Sequence, residues 1–253
     1  PEVPVVLALT GTDVYHPLRE SARGMATARQ ADRLVVLQPL ALQELPVELH
    51  PRTRVIYQSV GPPLPPHRPP ENEFRICVLG HLRDLKDPFR AAAAARLVPE
   101  QSRLRVYHAG GVLEPPLLER ARQENRANQR YRWLGELPAE QARQLLASSH
   151  LLVHSSLKEG GANVVSEAIA LGVPVLASHI PGNVGLLGQD YPGYFPPQDT
   201  GALADLILRA ETDHSFYHTL KKGVLAQQPN FLPDKELQAW KNLLQSLGLA
   251  IPR

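Results

Sequence analysis

The chain has 253 residues, of which 43% are hydrophobic, and its 27 basic and 25 acidic residues leave a net charge of +2. This balance gives no reason to expect nucleic acid as a partner, and no apolar run approaches the roughly 18 residues of a membrane-spanning helix. A single cysteine, Cys77, excludes an intrachain disulfide, and with no signal-peptide pattern we expect a cytoplasmic protein.

Three apolar runs at the start of the chain predict the strands of a first domain, at residues 3–9, 33–37 and 54–57. Short, continuous runs rich in valine and leucine are typical of strands covered on both faces, as in a parallel sheet. Three strands are few for such a sheet, and the chain begins at Pro1, directly before the first run. We therefore expect residues 1–61 to be the C-terminal part of an N-terminal domain that is incomplete in this chain.

The proline-rich sequence "GPPLPPHRPPENE", residues 61–73, interrupts the succession of strands. Proline fixes φ and lacks a backbone N–H, so this stretch fits neither a central strand nor a helix. We expect residues 62–73 to form a stiff linker between two domains.

After the linker, short apolar runs alternate with helical patterns, which is typical of parallel βα units. The predicted strands cover residues 75–79, 104–108, 131–134, 151–153 and 173–177, and the predicted helices cover residues 89–97, 116–126, 138–148, 162–171 and 200–211. This alternation predicts a doubly wound α/β domain over residues 74–225. The amphipathic sequence "PDKELQAWKNLLQSLGL" then predicts a helical segment within residues 226–253, which we expect to pack back on the N-terminal domain.

The segment "KEGGANVVSEAIALGVPVLAS", residues 158–178, predicts a strand end, a loop, a helix and the next strand. Ligands of open α/β sheets bind outside the carboxyl ends of the strands, where the first-turn amides of a helix are unpaired. We expect the glycines to let a phosphate approach the backbone and the helix start to bind it. The residues in this group are Gly160, Gly161, Ala162, Asn163 and Val164.

Two carboxylates surround this predicted phosphate site. Glu159 lies in the loop, and Glu167 lies one helical turn after Asn163 on the same helix face. An ionised carboxylate accepts hydrogen bonds from vicinal hydroxyls, so the pair suits a transferred sugar at Glu159 and a ribose at Glu167. The alternative is that Glu159 merely complements the helix dipole and Glu167 is a solvated surface residue.

A second strand–loop–helix unit, "CVLGHLRDLKDPFRAAAA", carries basic residues at the carboxyl end of its strand. His81, Arg83 and Lys86 could bind a diphosphate through charge-assisted hydrogen bonds. The alternative is a solvated basic loop that pairs locally with Asp84 and Asp87.

Several further residues follow predicted strands. His108 and Gly135 could border the base of a nucleotide, and Gly182, Asn183 and Gly185 could turn the backbone toward a sugar or form an ordinary connection. The histidines show no metal-binding spacing, and no D-x-D motif is present, so we expect no metal or other cofactor.

These motifs resemble the retaining GT-B glycosyltransferases of family 4. The loop G-H-L-R-D-L-K is similar to their G-R-L-x-x-x-K, with His81 at the position of the usual arginine, and Glu159 to Glu167 matches their E-x7-E. The resemblance implies two Rossmann-like, doubly wound domains that face each other across a cleft. It also implies that Lys86, Arg83 and Glu159 are catalytic and that the donor lies on the second domain. The loop of Gly11, Thr12 and Asp13 would face the acceptor, although Thr12 and Asp13 could also cap a helix.

The segments "LALTGTDVY", "VLGHLRDLKDPFRAA", "KEGGANVVSEA" and "HIPGNVGLLGQDYPGYFP" resemble the branch of this family that makes selenosugars. That resemblance implies transfer of N-acetylglucosamine from a UDP-sugar to selenophosphate, as in the selenoneine pathway. Two alternatives stay open: an ordinary family-4 transferase with a sugar or lipid acceptor, and a non-catalytic protein that binds sugar nucleotides.

Overall fold

The computed structural model describes residues 3–11, 14, 18, 20–61 and 68–249, and it contains two parallel sheets. The first sheet has three strands in the order β1-β2-β3. Its elements are β1 (Val6–Leu9), helix α1 (Ala22–Gln30), β2 (Arg33–Val36), the 3-10 helices Pro39–Glu44 and Val47–Arg52, and β3 (Thr53–Val55). Buried aliphatic side chains cover this sheet, which together with its connections is called the N-lobe below.

The second sheet has six parallel strands in the order β6-β5-β4-β7-β8-β9. The strands are β4 (Phe74–Leu79), β5 (Leu104–Ala109), β6 (Tyr131–Trp133), β7 (Leu151–His154), β8 (Val175–Ser178) and β9 (Tyr194–Phe195). The chain builds outward from β4 to β6 and then returns to place β7 on the other side of β4. The crevice at the carboxyl ends of β4 and β7 is therefore the switch point at which α/β sheets bind ligands.

Seven helices connect or follow these strands within the described residues. They are α2 (Arg90–Leu97), α3 (Pro116–Ala127), α4 (Ala139–Ala147), α5 (Asn163–Leu171), α6 (Pro181–Leu187), α7 (Thr200–Thr212) and α8 (His214–Gln227). Buried alanines on α2, at positions 91, 92, 94 and 95, let this helix lie close to its neighbours in the core. This second unit is called the C-lobe.

The last helix, α9 (Pro233–Gln245), leaves the C-lobe and packs on the N-lobe. Its buried Leu243 and partly buried Trp240 contact Val35 of β2 and Ile56, which directly follows β3. The backbone N–H of Ser59 donates to a carboxylate oxygen of this helix at 2.7 Å. This crossing places α9 beside the cleft between the two lobes.

The segment with the glycines 182 and 185 is helix α6 and not a turn-rich connection. Glycine disfavours helix by about 1 kcal/mol relative to alanine, so the local sequence gives little sign of this helix. Tertiary packing outweighs that cost, since the glycines let the helix lie close to its neighbours. A Cβ at Gly182 would overlap the backbone of Glu159, and one at Gly185 would overlap the side chain of Gln38. Helices α1 and α8 and the short strand β9 are also present where the sequence analysis predicted no element.

Glycines bring the lobes into direct contact. A Cβ on Gly160 would overlap the carbonyl of Gly11, and one on Gly161 would come within 2.7 Å of Cβ of Leu37. Both glycines were predicted to let a phosphate approach the backbone. The atoms nearest to them belong to the N-lobe, at Gly11 and Leu37. The cleft is therefore narrow at the loop that precedes α5.

We expect Gly160→Ala to weaken the contact between the lobes, since the added methyl group and the Gly11 carbonyl would have to move apart. The free energy of unfolding should fall by about 1–3 kcal/mol, as for overpacking elsewhere. Hydrogen exchange should also rise in peptides that contain Gly11 and Gly160. Gly201→Ala is the control, because its nearest neighbouring atom would lie 3.5 Å away. Equal stability and exchange in the two variants would contradict this prediction.

Candidate functional site

A cavity of about 730 Å³ opens between the lobes at the switch point. This volume lies within the range of about 300–1,000 Å³ that is usual for small-molecule sites. The C-lobe wall consists of Leu79, Gly80, His81, Lys86, Glu159, Gly161, Ala162, Asn163 and Val164. The N-lobe wall consists of Ala8, Thr10, Val35, Leu37, Ile56 and Gln58, and α9 adds Glu236 and Trp240.

Backbone bonds hold the loop after β4 against the loop after β7. The N–H of Leu157 donates to the carbonyl of Leu85 at 2.9 Å. The hydroxyl of Ser155 reaches the carbonyls of Lys86, at 3.2 Å, and Asp87, at 2.9 Å. The two loops in which the sequence analysis placed the anion site are therefore in direct contact.

The two loops meet in an ion pair between Lys86 and Glu159. Nζ of Lys86 lies 2.5 Å from Oε1 of Glu159, and Nε2 of His154 lies 3.3 Å from the same oxygen. Burial alone would raise the pKa of Glu159, but His154 and Lys86 outweigh it and lower this pKa to about 2. Glu159 is therefore a carboxylate at neutral pH, and it accepts hydrogen bonds but cannot donate a proton.

The start of helix α5 presents unpaired amides to the cavity. The helix has no side-chain cap at Ala162, and the N–H groups of Asn163 and Val164 have no partner among the described residues. Unpaired amides at a helix start carry partial positive charge and bind anions. Together with Lys86, which lines the same cavity, they offer positive charge and N–H donors to an anion.

His81 lines the cavity next to Lys86. The N–H of Gly111 donates to its Nδ1 at 3.0 Å, so in the neutral ring the proton is on Nε2. That Nε2–H can donate a hydrogen bond to an anionic ligand, as an arginine side chain at this position would.

The structure places His108 in the core and not at the cavity. Its Nε2 lies 2.8 Å from the carbonyl of Gly80, and its Nδ1 lies 2.7 Å from the Tyr131 hydroxyl. A carbonyl can only accept, so Nε2 carries the proton and Nδ1 accepts from Tyr131. Burial lowers the pKa of His108 to about 4, although the Gly80 bond opposes this. His108 therefore supports the loop that carries His81, and it does not line the cavity.

Three other predicted residues also lie away from the cavity lining. Nε of Arg83, half-exposed, lies 3.8 Å from a carboxylate oxygen of Glu114. Glu167 is partly buried beneath the helix start, where burial raises its pKa and Arg143 opposes the shift. Gly135 occupies the left-handed region with φ of 72° two residues after β6. None of the three lines the cavity, and their contacts with a donor stay predictions.

The predicted acceptor loop is described in part. Gly11 lies at the junction of the lobes, where its carbonyl faces Gly160, while Thr12 and Asp13 lie outside the described residues. Thr10, one position earlier, lines the cavity.

Helix α9 contributes residues that the sequence analysis did not single out as part of the site. Glu236 accepts from the N–H of Ser59 at 2.7 Å and from the indole N–H of Trp240 at 3.3 Å. Burial would raise the pKa of Glu236, but these hydrogen bonds lower it. Nothing in the local pattern of α9 distinguishes these two residues from an ordinary amphipathic helix, because their position depends on where the chain crosses the cleft.

Two further results concern the described residues only. No helix among them combines the length and the hydrophobicity that a membrane span requires. Within residues 3–11, 14, 18, 20–61 and 68–249, no group of three or more histidine, cysteine or acidic side chains is arranged to bind a metal ion.

Comparison with protein families matches residues 64–224 to the family Glycosyl transferases group 1. Over 77 residues the chain is 38% identical to a Bacillus subtilis (strain 168) protein that carries the name teichuronic acid biosynthesis glycosyltransferase TuaC. That match covers 30% of this chain and 20% of TuaC. The chain is 24% identical over 229 residues to Glycosyltransferase 1 domain-containing protein 1 of Xenopus tropicalis, covering 81% of this chain and 66% of that protein. The chain thus spans less than two thirds of either relative.

Among solved structures, Anabaena Alr3699/HepE in complex with UDP and glucose superimposes with a TM-score of 0.77 at 20% identity. The match covers 97% of this chain and 71% of HepE. A structure of HepE in complex with UDP-glucose gives the same TM-score. At this identity the likeness shows the fold, and it confirms the predicted GT-B arrangement of Rossmann-like units.

We expect His108→Gln to reveal a histidine that is held neutral in the core. The folded-state pKa of about 4 is below the ordinary value of 6.5, so the unfolded state binds more protons between these values. The stabilising contribution is complete above pH 6.5 and is lost as the pH falls through 4, by roughly 3 kcal/mol. Urea unfolding should show a stable wild type at pH 7.5 and a shrinking advantage over His108→Gln toward pH 4.5. The same change at exposed His218 is the control, and a constant advantage of the wild type would contradict the assignment.

Proposed function

Because the chain belongs to the family Glycosyl transferases group 1, we propose that the protein transfers a sugar from a nucleotide-sugar donor bound in the interlobe cavity. One observation carries this proposal: Lys86 lies on the loop that faces the unpaired amides of α5, at the switch point of the C-lobe sheet. A diphosphate leaving group needs positive charge and N–H donors at such a place.

A UDP-sugar is the proposed donor. The structures of HepE contain UDP with glucose or UDP-glucose, and the shared fold supports the same class of donor here. The resemblance of the loop segments to selenosugar-forming transferases favours UDP-N-acetylglucosamine.

Lys86 and the helix amides would stabilise the charge that develops on the leaving diphosphate. Lysine has three N–H donors, so Lys86 can keep one on Glu159 and direct another to the phosphate. His81 would add a donor through Nε2–H. We propose that these groups carry the leaving-group charge without a metal ion, so turnover should survive EDTA.

Glu159 would bind the hydroxyls of the transferred sugar. Its carboxylate lines the cavity beside Lys86, and a low pKa keeps it an acceptor across the physiological range. A sugar attached to the diphosphate would thus be held next to its own leaving group, which is the geometry that group transfer requires.

Selenophosphate is the proposed acceptor, because four segments of the sequence resemble the selenosugar-forming branch. In the reaction, the bond between the sugar C1 and the β-phosphate oxygen breaks and its electrons go to UDP. A selenium lone pair forms the new C1–Se bond, and water then cleaves the P–Se bond to release phosphate. Selenium is a strong nucleophile, so no strong general base is needed. Retention at C1 follows from the family resemblance.

A hydroxyl-bearing acceptor is the second candidate, and the cavity wall opposite the C-lobe, formed by the N-lobe and α9, favours it. Glu236 and Gln58 offer hydrogen-bond acceptors, and Trp240 adds an aromatic face. Such a wall suits a sugar, whereas the negative charge of Glu236 would repel a small anion.

Lys86→Met should lower kcat/KM for the donor at least about tenfold, since one charge-assisted hydrogen bond contributes roughly 1.5–3 kcal/mol. Lys158→Met is the matched control, because Lys158 is exposed one position before Glu159 and does not line the cavity. Release of UDP measures both variants. Near-wild-type activity of Lys86→Met would remove Lys86 from the proposed mechanism.

The acceptor is tested by product analysis with UDP-N-acetylglucosamine and selenophosphate, with thiophosphate and phosphate in parallel. We expect a Se-glycoside by mass spectrometry, little product with phosphate, and an α-configured anomeric carbon by NMR. Transfer to a sugar hydroxyl instead would establish the second candidate, and tight UDP binding without any transfer would indicate a non-catalytic protein.

A further inference from the structure

His154, the last residue of β7, has no role in the mechanism above and yet lies behind its central carboxylate. Its ring is buried, with 4% of the residue exposed, and Nε2 has no hydrogen-bond partner in the described part of the chain. The nearest acceptor is Oε1 of Glu159 at 3.3 Å. A buried ring nitrogen without a partner is costly, so this arrangement calls for an explanation.

The two nitrogen groups beside the Glu159 carboxylate, those of Lys86 and His154, lie next to the same oxygen. Lys86 and His154 approach Oε1, and no described residue bonds Oε2. Glu159 lines the cavity, so Oε2 is the oxygen available to a ligand. The Lys86 bond to Oε1, with His154 beside the same oxygen, orients the carboxylate so that Oε2 can bind a ligand.

Donor binding would weaken the bond from Lys86 to Glu159. A diphosphate draws the charge of Lys86 away from Glu159, and a carboxylate that is 8% exposed would then lose part of its compensation. His154 is buried 3.3 Å from Oε1 and can donate Nε2–H to it.

We propose that His154 is a positioning residue that holds Glu159 while Lys86 is engaged with the leaving group. This inference rests on the proposed function, since it assigns the free oxygen of Glu159 to the transferred sugar. It requires that His154 support binding of the sugar part of the donor and not of the nucleotide part. A merely structural role would weaken both equally.

The first test compares the dissociation constants of UDP and of the UDP-sugar by calorimetry. His154→Phe, which keeps the ring but removes the donor, should weaken UDP-sugar binding about tenfold and UDP binding less than about twofold. His154→Gln, which restores an N–H donor, should recover most of the loss. His150→Phe is the control, because His150 precedes the same strand at its opposite end and contacts Arg75 and Phe74.

The second test needs no ligand and separates failure of this inference from failure of the proposed function. Urea unfolding of His154→Phe, Glu159→Gln and the double variant forms a double-mutant cycle. We expect non-additive effects, with the double variant no less stable than Glu159→Gln alone. Additive effects, or equal losses of UDP and UDP-sugar binding in His154→Phe, would overturn the role of His154. A wild type that binds no UDP-sugar but shows the expected cycle would instead overturn the proposed donor.

Discussion

The ion pair between Lys86 and Glu159 joins the two loops on which the site depends. Each loop follows a different strand, and the strands are neighbours only because the chain returns to place β7 beside β4. The pair is largely shielded from water, so its charges interact more strongly than a surface pair would. It holds the Glu159 carboxylate and the Lys86 ammonium group close together, beside the unpaired amides at the start of α5.

Close contact between the lobes is the second constraint, and glycine makes it possible. Side chains at positions 160, 161 and 185 would collide with the N-lobe backbone or side chains, so their absence lets the lobes meet around the cavity. Gly182 has a related role inside the C-lobe, since it lets α6 pack against the backbone of Glu159. The glycines near the site thus position protein groups, and these groups in turn shape the space for a ligand.

The cavity is chemically divided. The C-lobe side offers a cation, a histidine donor and helix amides, which suit an anionic leaving group, together with the Glu159 carboxylate, which suits hydroxyl groups. The other side offers groups that suit hydroxyls: the Glu236 carboxylate and the Trp240 indole of α9, and the Gln58 amide after β3. This division agrees with a transferase that holds two substrates on facing walls. Helix α9 lines the cavity in addition to packing on the N-lobe.

Local sequence determined the alternation of strands and helices, the start of α5, and the two loops that carry Lys86 and Glu159. These features depend on the spacing of apolar residues, on helix propensity and on residues close together in the chain. They can therefore be predicted from the sequence alone. Tertiary structure alone decided which polar side chains reach the cavity. Arg83 lies in the predicted loop but turns to Glu114, whereas Trp240 lies more than 150 residues later and lines the wall. The direction of a side chain and the crossing of α9 to the N-lobe depend on contacts between residues far apart in the sequence. The local sequence therefore does not predict them.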